Sequence, residues 1–422
     1  MNKLHELIQQ LCPDGVKYKK FGNVCQYIRG ITYSKPQEVK DNSTNAWKVM
    51  RANNITLGSN VINFEDVKLV KREVYVRDNQ LLKKGDILIC AGSGSKEHIG
   101  KVAYIFDDME YTFGGFMAVI RCGNELNSRF LFHILTGNSF SVYLSQALNS
   151  TTINNLNAGI MKNYLIPVPP LEVQQEIVRI LDHFTELTAE LTAELTARKE
   201  QYKYYSLSLI NHAVDIKEVP IRSLGTWRGG CTPSMENSAF WSDGNIPWVS
   251  SKDMKAPLLV DTQDHITQEA LSKTSIKLLP KNTVAIVARS GILKHTLPVV
   301  FIPFETTVNQ DIKALTAAQN IEPRYAYHVL NANSSNILQK TKKQGGTVDS
   351  LDIQKFMNYL VPVPPLPEQR RIVAILDRFD ALCNDLTSGL PAEIAARQKQ
   401  YEYYRDKLLT FKEKSSDSFR GE

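Results

Sequence analysis

The chain has 422 residues, 43% apolar and 22% charged, which excludes a disordered or fibrous protein and suggests roughly two to four domains. Its net charge of +6, from 50 basic and 44 acidic side chains, permits nucleic acid as a partner without demanding it. Six cysteines without a C-x-x-C pair point to free thiols in a reducing cytoplasm, and no apolar run reaches the roughly 20 residues that span a bilayer, so no membrane partner is expected.

Taken in chain order, MNKLHELIQQL reads as the last turns of a helix carrying Leu4 and Leu7, followed by VKYKKFG, which ends at Gly22. Trp47 leads into the polar segment MRANNI. DILIC (86–90) and KVAYIF (101–106) read as strands between Gly, Asn and Ser turns, and SRFLFHIL (128–135) as a helix. Thr152 and Leu156 precede the block YLIPVPPLEVQQEIVRILDHF (164–184), in which Pro167, Pro169 and Pro170 act as a stop. From Leu171 the spacing turns helical through Ile177, Leu181, Phe184, Leu187, Leu191 and Leu195, crosses the tandem TAELTAEL (188–195), and reaches QYKYY (201–205). About 40 residues of helix extend some 60 Å.

The same series then recurs. VPIRSLG, ending at Gly225, answers VKYKKFG, which sets Leu4 and Leu7 opposite Leu207 and Ile210. Trp248 answers Trp47 before SSKDM, and LLPKNTVAIVARSGI (278–292) answers LLKKGDILICAGSGS (81–95). TVAIVA (283–288) and LPVVFI (297–302) read as strands, RYAYHVL (324–330) as a helix, and Thr347 and Leu351 answer Thr152 and Leu156. YLVPVPPLPEQRRIVAILDRF (359–379) repeats the earlier block at a constant offset of 195. A second stripe follows at Ile372, Ile375, Leu376, Phe379, Leu382 and Leu386, and QYEYY (400–404) answers QYKYY at an offset of 199. Gly389-Leu390-Pro391 predicts a break in the second helix, since Gly suits a helix end and Pro a helix start.

The repeat is thus nearly cyclic, with the first eleven residues completing the last helix. It predicts an α+β fold: two globular domains related by an approximate two-fold axis, separated by a pair of long antiparallel helices in a coiled coil. The expected divisions are 1–156, in which 1–11 packs with the C-terminal helical region; 157–215, helical; 216–351, the second domain; and 352–422, helical. Each apolar stripe is expected to pair with its own copy. The residues expected to pair helices or dock subunits are Ile177, Leu181, Phe184, Leu187, Leu191, Tyr202, Tyr205, Ile372, Leu376, Phe379, Leu382, Tyr401 and Tyr404. A dimerising coiled coil without further role, and tyrosines that serve local packing alone, remain the alternatives.

A search for catalytic motifs fails. Before Gly100-Lys101, the first glycine of a phosphate loop is replaced by Ser95, and Val102 stands where Ser or Thr is required. The Pro-Pro pairs lack the Asn or Asp before and the aromatic after that adenine methyltransferases show, and the eight histidines form no metal-type pair. A binding protein is expected. Several turns mix basic, amide and small residues suited to base edges and phosphates. They carry Arg51, Asn53 and Asn54; Ser93, Ser95, Lys96, His98 and Lys101; Ser251 and Lys252; Arg289, Ser290, Lys294 and His295; Asn309 and Gln310; and Lys342 and Lys343.

The block IPVPPLxxQxxIVxILDxF, present twice (with Val361 in place of the first Ile in the second copy) and each time preceded by a Thr-x-x-x-Leu segment, resembles the specificity subunits of type I restriction–modification enzymes. The TAEL tandem looks like one branch of that family. The resemblance implies a non-catalytic subunit whose globular domains are target-recognition domains, each reading half of a bipartite double-stranded DNA target. The helices would act as a ruler and dock two methyltransferase subunits, with restriction–translocase subunits joining the assembly. S-adenosylmethionine, ATP and Mg2+ would belong to those partners, and this chain would bind no cofactor. A stand-alone modification enzyme and a DNA-independent coiled-coil scaffold are the competing readings.

Overall fold

The computed structural model describes residues 2–39, 45–149, 155–343, 348–385 and 387–414. Thr152, Thr347 and Leu386 lie outside the described residues, as does the side chain of Lys96. The chain forms two compact units, Met1–Ala189 with Ala396–Glu422, and Glu190–Ala395.

The strands of the first unit are β1 (Tyr18–Lys20), β2 (Cys25–Arg29), β3 (Glu38–Val39), β4 (Ala46–Met50), β5 (Lys68–Lys71), β6 (Ile87–Cys90), β7 (Val102–Tyr104), β8 (Tyr111–Phe113), β9 (Met117–Cys122) and β10 (Leu165–Pro167). One antiparallel sheet has the order β2-β9-β6-β7, and a second has the order β3-β5-β4-β8, in which β4 and β8 run parallel. Alternate residues of β6 and β9 serve two cores, as the two-residue period of a strand requires. Ile87, Ile89, Ala118 and Ile120 pack with the helix Ser128–Leu135, while Leu88, Cys90, Met117 and Val119 pack with Met50 and Phe113 of the second sheet. Both faces of DILIC are therefore apolar because both are covered.

The second unit repeats this plan with β11 (Lys217–Pro220), β12 (Gly225–Gly229), β13 (Ile246–Val249), β14 (Asp264–Ile266), β15 (Thr283–Val287), β16 (Val299–Ile302), β17 (Thr307–Val308), β18 (Ile312–Ala317) and β19 (Leu360–Val363). Its sheets are β12-β18-β15-β16 and β14-β13-β17, with β13 parallel to β17. The helix Pro323–Ala332 takes the place of Ser128–Leu135. Gly30 and Gly230 mark the same point in each unit. A Cβ there would collide with the carbonyl of Phe113 or Val308, so the chain can pass only as glycine.

The Pro-rich block enters each unit through a short strand pair, β1 with β10 and β11 with β19. Its glutamine is the reason for the motif. Gln174 is fully buried; its Nε2 donates to the carbonyls of Glu125 and Pro169 at 2.9 and 2.7 Å, and its Oε1 accepts from Asn127 N–H at 2.7 Å. Gln369 does the same with Asn320, Pro364 and Glu322. One amide thus joins a carbonyl of the proline-rich turn to two backbone groups of the loop before the domain helix.

The helix Leu171–Asn211 runs unbroken for 41 residues and passes from the first unit into the second within the TAEL tandem. The second helical region is broken as expected, into Leu366–Asn384 and Leu390–Leu408, but the chain leaves the helix at Asp385 (ψ 118°) and not at the glycine. Pro391 falls in the first turn of the new helix, where its missing N–H costs nothing. At the chain's ends, Val16 N–H donates to Lys412 and Lys414 N–H to Val16, at 2.8 and 3.0 Å. No helix among the described residues is long and apolar enough to cross a membrane.

Two details of the expected repeat alignment are corrected. Phe21 N–H donates to Tyr164 and Ile221 N–H to Tyr359, so Phe21 corresponds to Ile221 and Gly22 does not correspond to Gly225. Gly114 N–H donates to Met50 and Asn309 N–H to Val249, which displaces Trp47 from Trp248 by two positions on equivalent strands. Both misalignments came from matching residue type where the backbone partner decides the register.

Candidate nucleic-acid interface

The loops that follow β4, β6 and β8 in the first unit are tied together by backbone hydrogen bonds. Gly114 N–H reaches Met50, Ala91 and Gly92 N–H both reach Phe116, and Leu156 N–H reaches Ala91. Arg51 Nη2 and Asn53 Nδ2 both donate to the carboxylate of Asp66, at 2.8 and 2.7 Å; Asn53 is exposed and Arg51 half-buried. Ser93 and Ser95 form the next turn, with Ser95 N–H donating to Ser93 Oγ at 3.2 Å, and His98 follows in a half-buried turn.

Two expected contacts in this unit belong to the fold. Asn54 is 1% exposed; its Oδ1 accepts from Arg51 N–H and its Nδ2 donates to Asn63, which closes the turn. Lys101 Nζ donates to the carbonyls of Ala52 and Ile55 at 3.1 and 2.6 Å, and burial lowers its pKa. Its charge holds the Arg51 loop against the sheet and is not presented to a ligand.

The second unit uses the same frame. Ser250 N–H donates to Asp253 Oδ2 at 2.8 Å, as Arg51 N–H does to Asn54, and sets Ser251 and an exposed Lys252 in the turn. Arg289 Nε pairs with Asp311 at 2.6 Å, and Ser290 N–H reaches Asp349. Lys294, His295, Lys342 and Lys343 come together around one surface cavity of about 610 Å3, with Lys342 paired to Asp349 at 2.9 Å. Gln310 is exposed and accepts from Thr232, whereas Asn309 is 7% exposed and its Oδ1 accepts from Asp311 N–H. Asn309 thus closes this turn through its Oδ1.

The helix residues divide differently from the expected seam. Ile177 and Leu181 are fully buried against Phe130 and Ile134 of their own globular domain, and Ile372 and Leu376 against Tyr325 and Val329. The domain helices are apolar along the face they present, so they cover the stripe that pairing was expected to cover. The helical regions also meet through aromatic pairs: Phe184 stacks on Tyr404 at 5.4 Å, and Phe379 lies 6.1 Å from Tyr205 and 6.4 Å from Tyr202. Leu187 and Leu191 are half-buried, and Leu382 is exposed.

A polar lock fixes each domain to its helices. In the first unit Arg129 Nε donates to Asp182 at 2.8 Å, His133 Nε2 to the same oxygen at 3.0 Å, and the Tyr401 hydroxyl to His133 Nδ1 at 2.9 Å. In the second, Arg324 and His328 converge on Asp377 at 2.6 and 2.7 Å, Tyr202 donates to His328 at 3.2 Å, and Asp380 adds a second carboxylate to Arg324 at 3.2 Å. Burial pushes both imidazoles below their ordinary value of 6.5, outweighing the hydrogen bond to aspartate. Burial alone would raise the two aspartates, but their histidine and arginine partners hold them below the ordinary carboxylate value. The sequence carried a sign of this lock: R-x-x-x-H lies inside both short helices at the 195 offset of the Pro-rich block, and each Asp follows Ile-Leu within it.

A pH dependence follows. The folded imidazoles resist a proton that the unfolded chain accepts near 6.5, so stability is full above that value and falls as pH drops below it. Moving from pH 7.5 to 5.5 should cost up to about 1.4 kcal/mol per histidine. Melting temperatures across that range test this; H133Q/H328Q should flatten the curve, and an unchanged wild-type midpoint would refute the claim.

Comparison with known proteins agrees with this duplicated plan. The type I restriction modification DNA specificity domain matches twice, over residues 13–200 and 213–396. The chain is 48% identical over 246 residues to the EcoR124I/EcoR124II specificity subunit of Escherichia coli, covering 58% of this chain and 61% of that relative. It is 33% identical over 304 residues to a putative type I restriction enzyme specificity subunit of Haemophilus influenzae, covering 69% and 74%. Among solved structures, a chain from work on complex assembly and conformational transition of the type I R-M system superposes with a TM-score of 0.62 at 16% identity, covering 94% and 97%. Two copies of one domain, spanning most of the sequence and built on one backbone frame, place the chain in the type I restriction–modification DNA specificity family.

Proposed function

We propose that the chain is the non-catalytic DNA-recognition subunit of a type I restriction–modification complex in the cytoplasm. Each unit reads one half of a bipartite double-stranded target. The helices set the gap between the halves and dock two methyltransferase subunits, and restriction–translocase subunits complete the assembly. S-adenosylmethionine, ATP and Mg2+ act in those partners. The observation that carries this reading is the pair of loop clusters with one hydrogen-bond frame and divergent outward residues. Recognition of two different half-sites needs that combination, because phosphate contacts position a protein while side chains at base edges specify the sequence.

The side chains assigned to DNA are Arg51, Asn53, Ser93, Ser95, Lys96 and His98 in the first unit, and Ser251, Lys252, Arg289, Ser290, Lys294, His295, Gln310, Lys342 and Lys343 in the second. Tyr204 and Tyr403, 69% and 61% exposed, are the outward tyrosines of the two QYxYY motifs and suit a partner surface. The test is the complex with its methyltransferase: it should bind target duplex with strong salt dependence and methylate adenines at a two-part site. Binding without salt dependence would overturn the reading. Exchange of residues 1–156 for those of a relative should alter one half-site in methylation maps; a change in both halves would refute two independent readers.

A further inference from the structure

One position in the two loop clusters combines an identical backbone with opposite chemistry. In the first unit the Phe116 carbonyl accepts from Ala91 and Gly92 N–H at 2.8 and 3.0 Å, and the Ala91 carbonyl accepts from Leu156 N–H at 2.7 Å. In the second the Asp311 carbonyl accepts from Ala288 and Arg289 N–H at 2.7 and 3.2 Å, and the Ala288 carbonyl accepts from Leu351 N–H at 2.9 Å. Phe116 is therefore the counterpart of Asp311, and Gly92 of Arg289. The second unit carries an ion pair there, Arg289 to Asp311 at 2.6 Å. The first carries a glycine and a phenyl ring that is 73% exposed.

Leaving that ring in water forgoes about 1.5–3 kcal/mol that burial would supply. The backbone that carries the ring is held in place. Two amides fix the Phe116 carbonyl, and Gly114, two residues earlier, is bonded to the end of β4, directly before Arg51. Polar turns at Arg51–Asn53 and Ser93–Ser95 belong to the same cluster. An apolar side chain carried on an anchored backbone among hydrogen-bonding residues matches the one apolar feature of a base edge, the thymine methyl in the major groove.

We propose that Phe116 is a specificity-determining residue of the first unit that reads a thymine of its half-site by contact with the 5-methyl group. The proposal rests on the DNA-recognition reading above. The contact is uncharged, so its loss releases no phosphate counterion and leaves the salt slope unchanged. The second unit, with Arg289 and Asp311 at this position, makes no such contact.

The experiment uses the full chain in complex with its methyltransferase, comparing wild type with Phe116→Ala and Phe116→Leu. Methylated adenines are mapped, and binding is measured on duplexes in which each thymine of the first unit's half-site is replaced by deoxyuridine. One uracil substitution should weaken wild type about 4-fold, the factor for burying one methyl group, and leave F116A unaffected. F116A should relax the same A·T position, F116L should retain part of the preference, and the other half-site and the salt slope should not change. Melting temperatures should match wild type, because the ring is exposed; were F116A to fail to fold, F116L carries the test through a reduced uracil effect. If the wild-type complex shows no salt-dependent binding to its mapped target, the DNA-recognition reading itself fails. If wild type binds normally but F116A alters no position, weakens all sequences equally, or responds to uracil as wild type does, the Phe116 assignment alone is overturned.

Discussion

Replacing Asp182 with alanine is expected to destabilise the first unit by about 3 kcal/mol. The substitution strands the Arg129 guanidinium, whose side chain is 15% exposed, and leaves the fully buried His133 without an acceptor for Nε2–H. Arg129 also lies over the Phe132 ring at 4.5 Å, so it has packing that prevents it from simply swinging into water. Breaking a buried pair from one side costs more than the pair contributes, because the remaining charge stays desolvated. D182N, which keeps the acceptor oxygen and removes the charge, should cost less. D377A in the second unit should also cost less, since Asp377 is 38% exposed and Arg324 retains Asp380 at 3.2 Å. Hydrogen exchange resolves the two units. In D182A the amides of Ser128–Leu135 should exchange roughly 100-fold faster, with those of Pro323–Ala332 unchanged. Equal acceleration in both helices, or none, would contradict the lock.

Deleting Thr192–Leu195 is the second large effect. The four residues form one TAEL unit in the middle of an unbroken helix, at the point where the chain passes between units. Thr188 and Thr196 each bond back to a carbonyl one turn earlier, at 2.9 and 3.0 Å, so the tandem is regular helix and not a flexible insert. Removing four residues shortens the helix by about 6 Å and leaves its phase changed by about 40°. That shift is comparable to one or two base pairs at ~3.4 Å each. Methylation maps should show a narrower gap between unaltered half-sites. An unchanged gap, or an altered half-site, would refute the ruler.

What could be read from sequence divides along the range of the interactions involved. DILIC and TVAIVA are strands because two apolar faces need two cores, and the Pro-rich block starts a helix for local steric reasons; both follow from neighbours along the chain. The roles of single polar residues do not. Lys101 looks like a surface cation, but its partners Ala52 and Ile55 lie 49 and 46 residues away. Asn54 and Asn309 look like base readers, and they close turns. Phe116 follows two glycines and resembles any core aromatic until its carbonyl partners show which loop it crowns. His133 sits on an apolar helical face and reads as packing, although its spacing from Arg129 and the shared 195 offset marked it in retrospect.

The tyrosines of the lock have a consequence for how such a chain can arise. His133 of the first repeat takes its hydroxyl partner from Tyr401 of the second, and His328 of the second takes Tyr202 of the first. Each repeat supplies the aspartate for its own buried imidazole but not the hydroxyl. A gene encoding a single repeat would therefore yield a product completed by another molecule of itself, each lending the other a tyrosine. Joining two such genes end to end would preserve that exchange within one polypeptide.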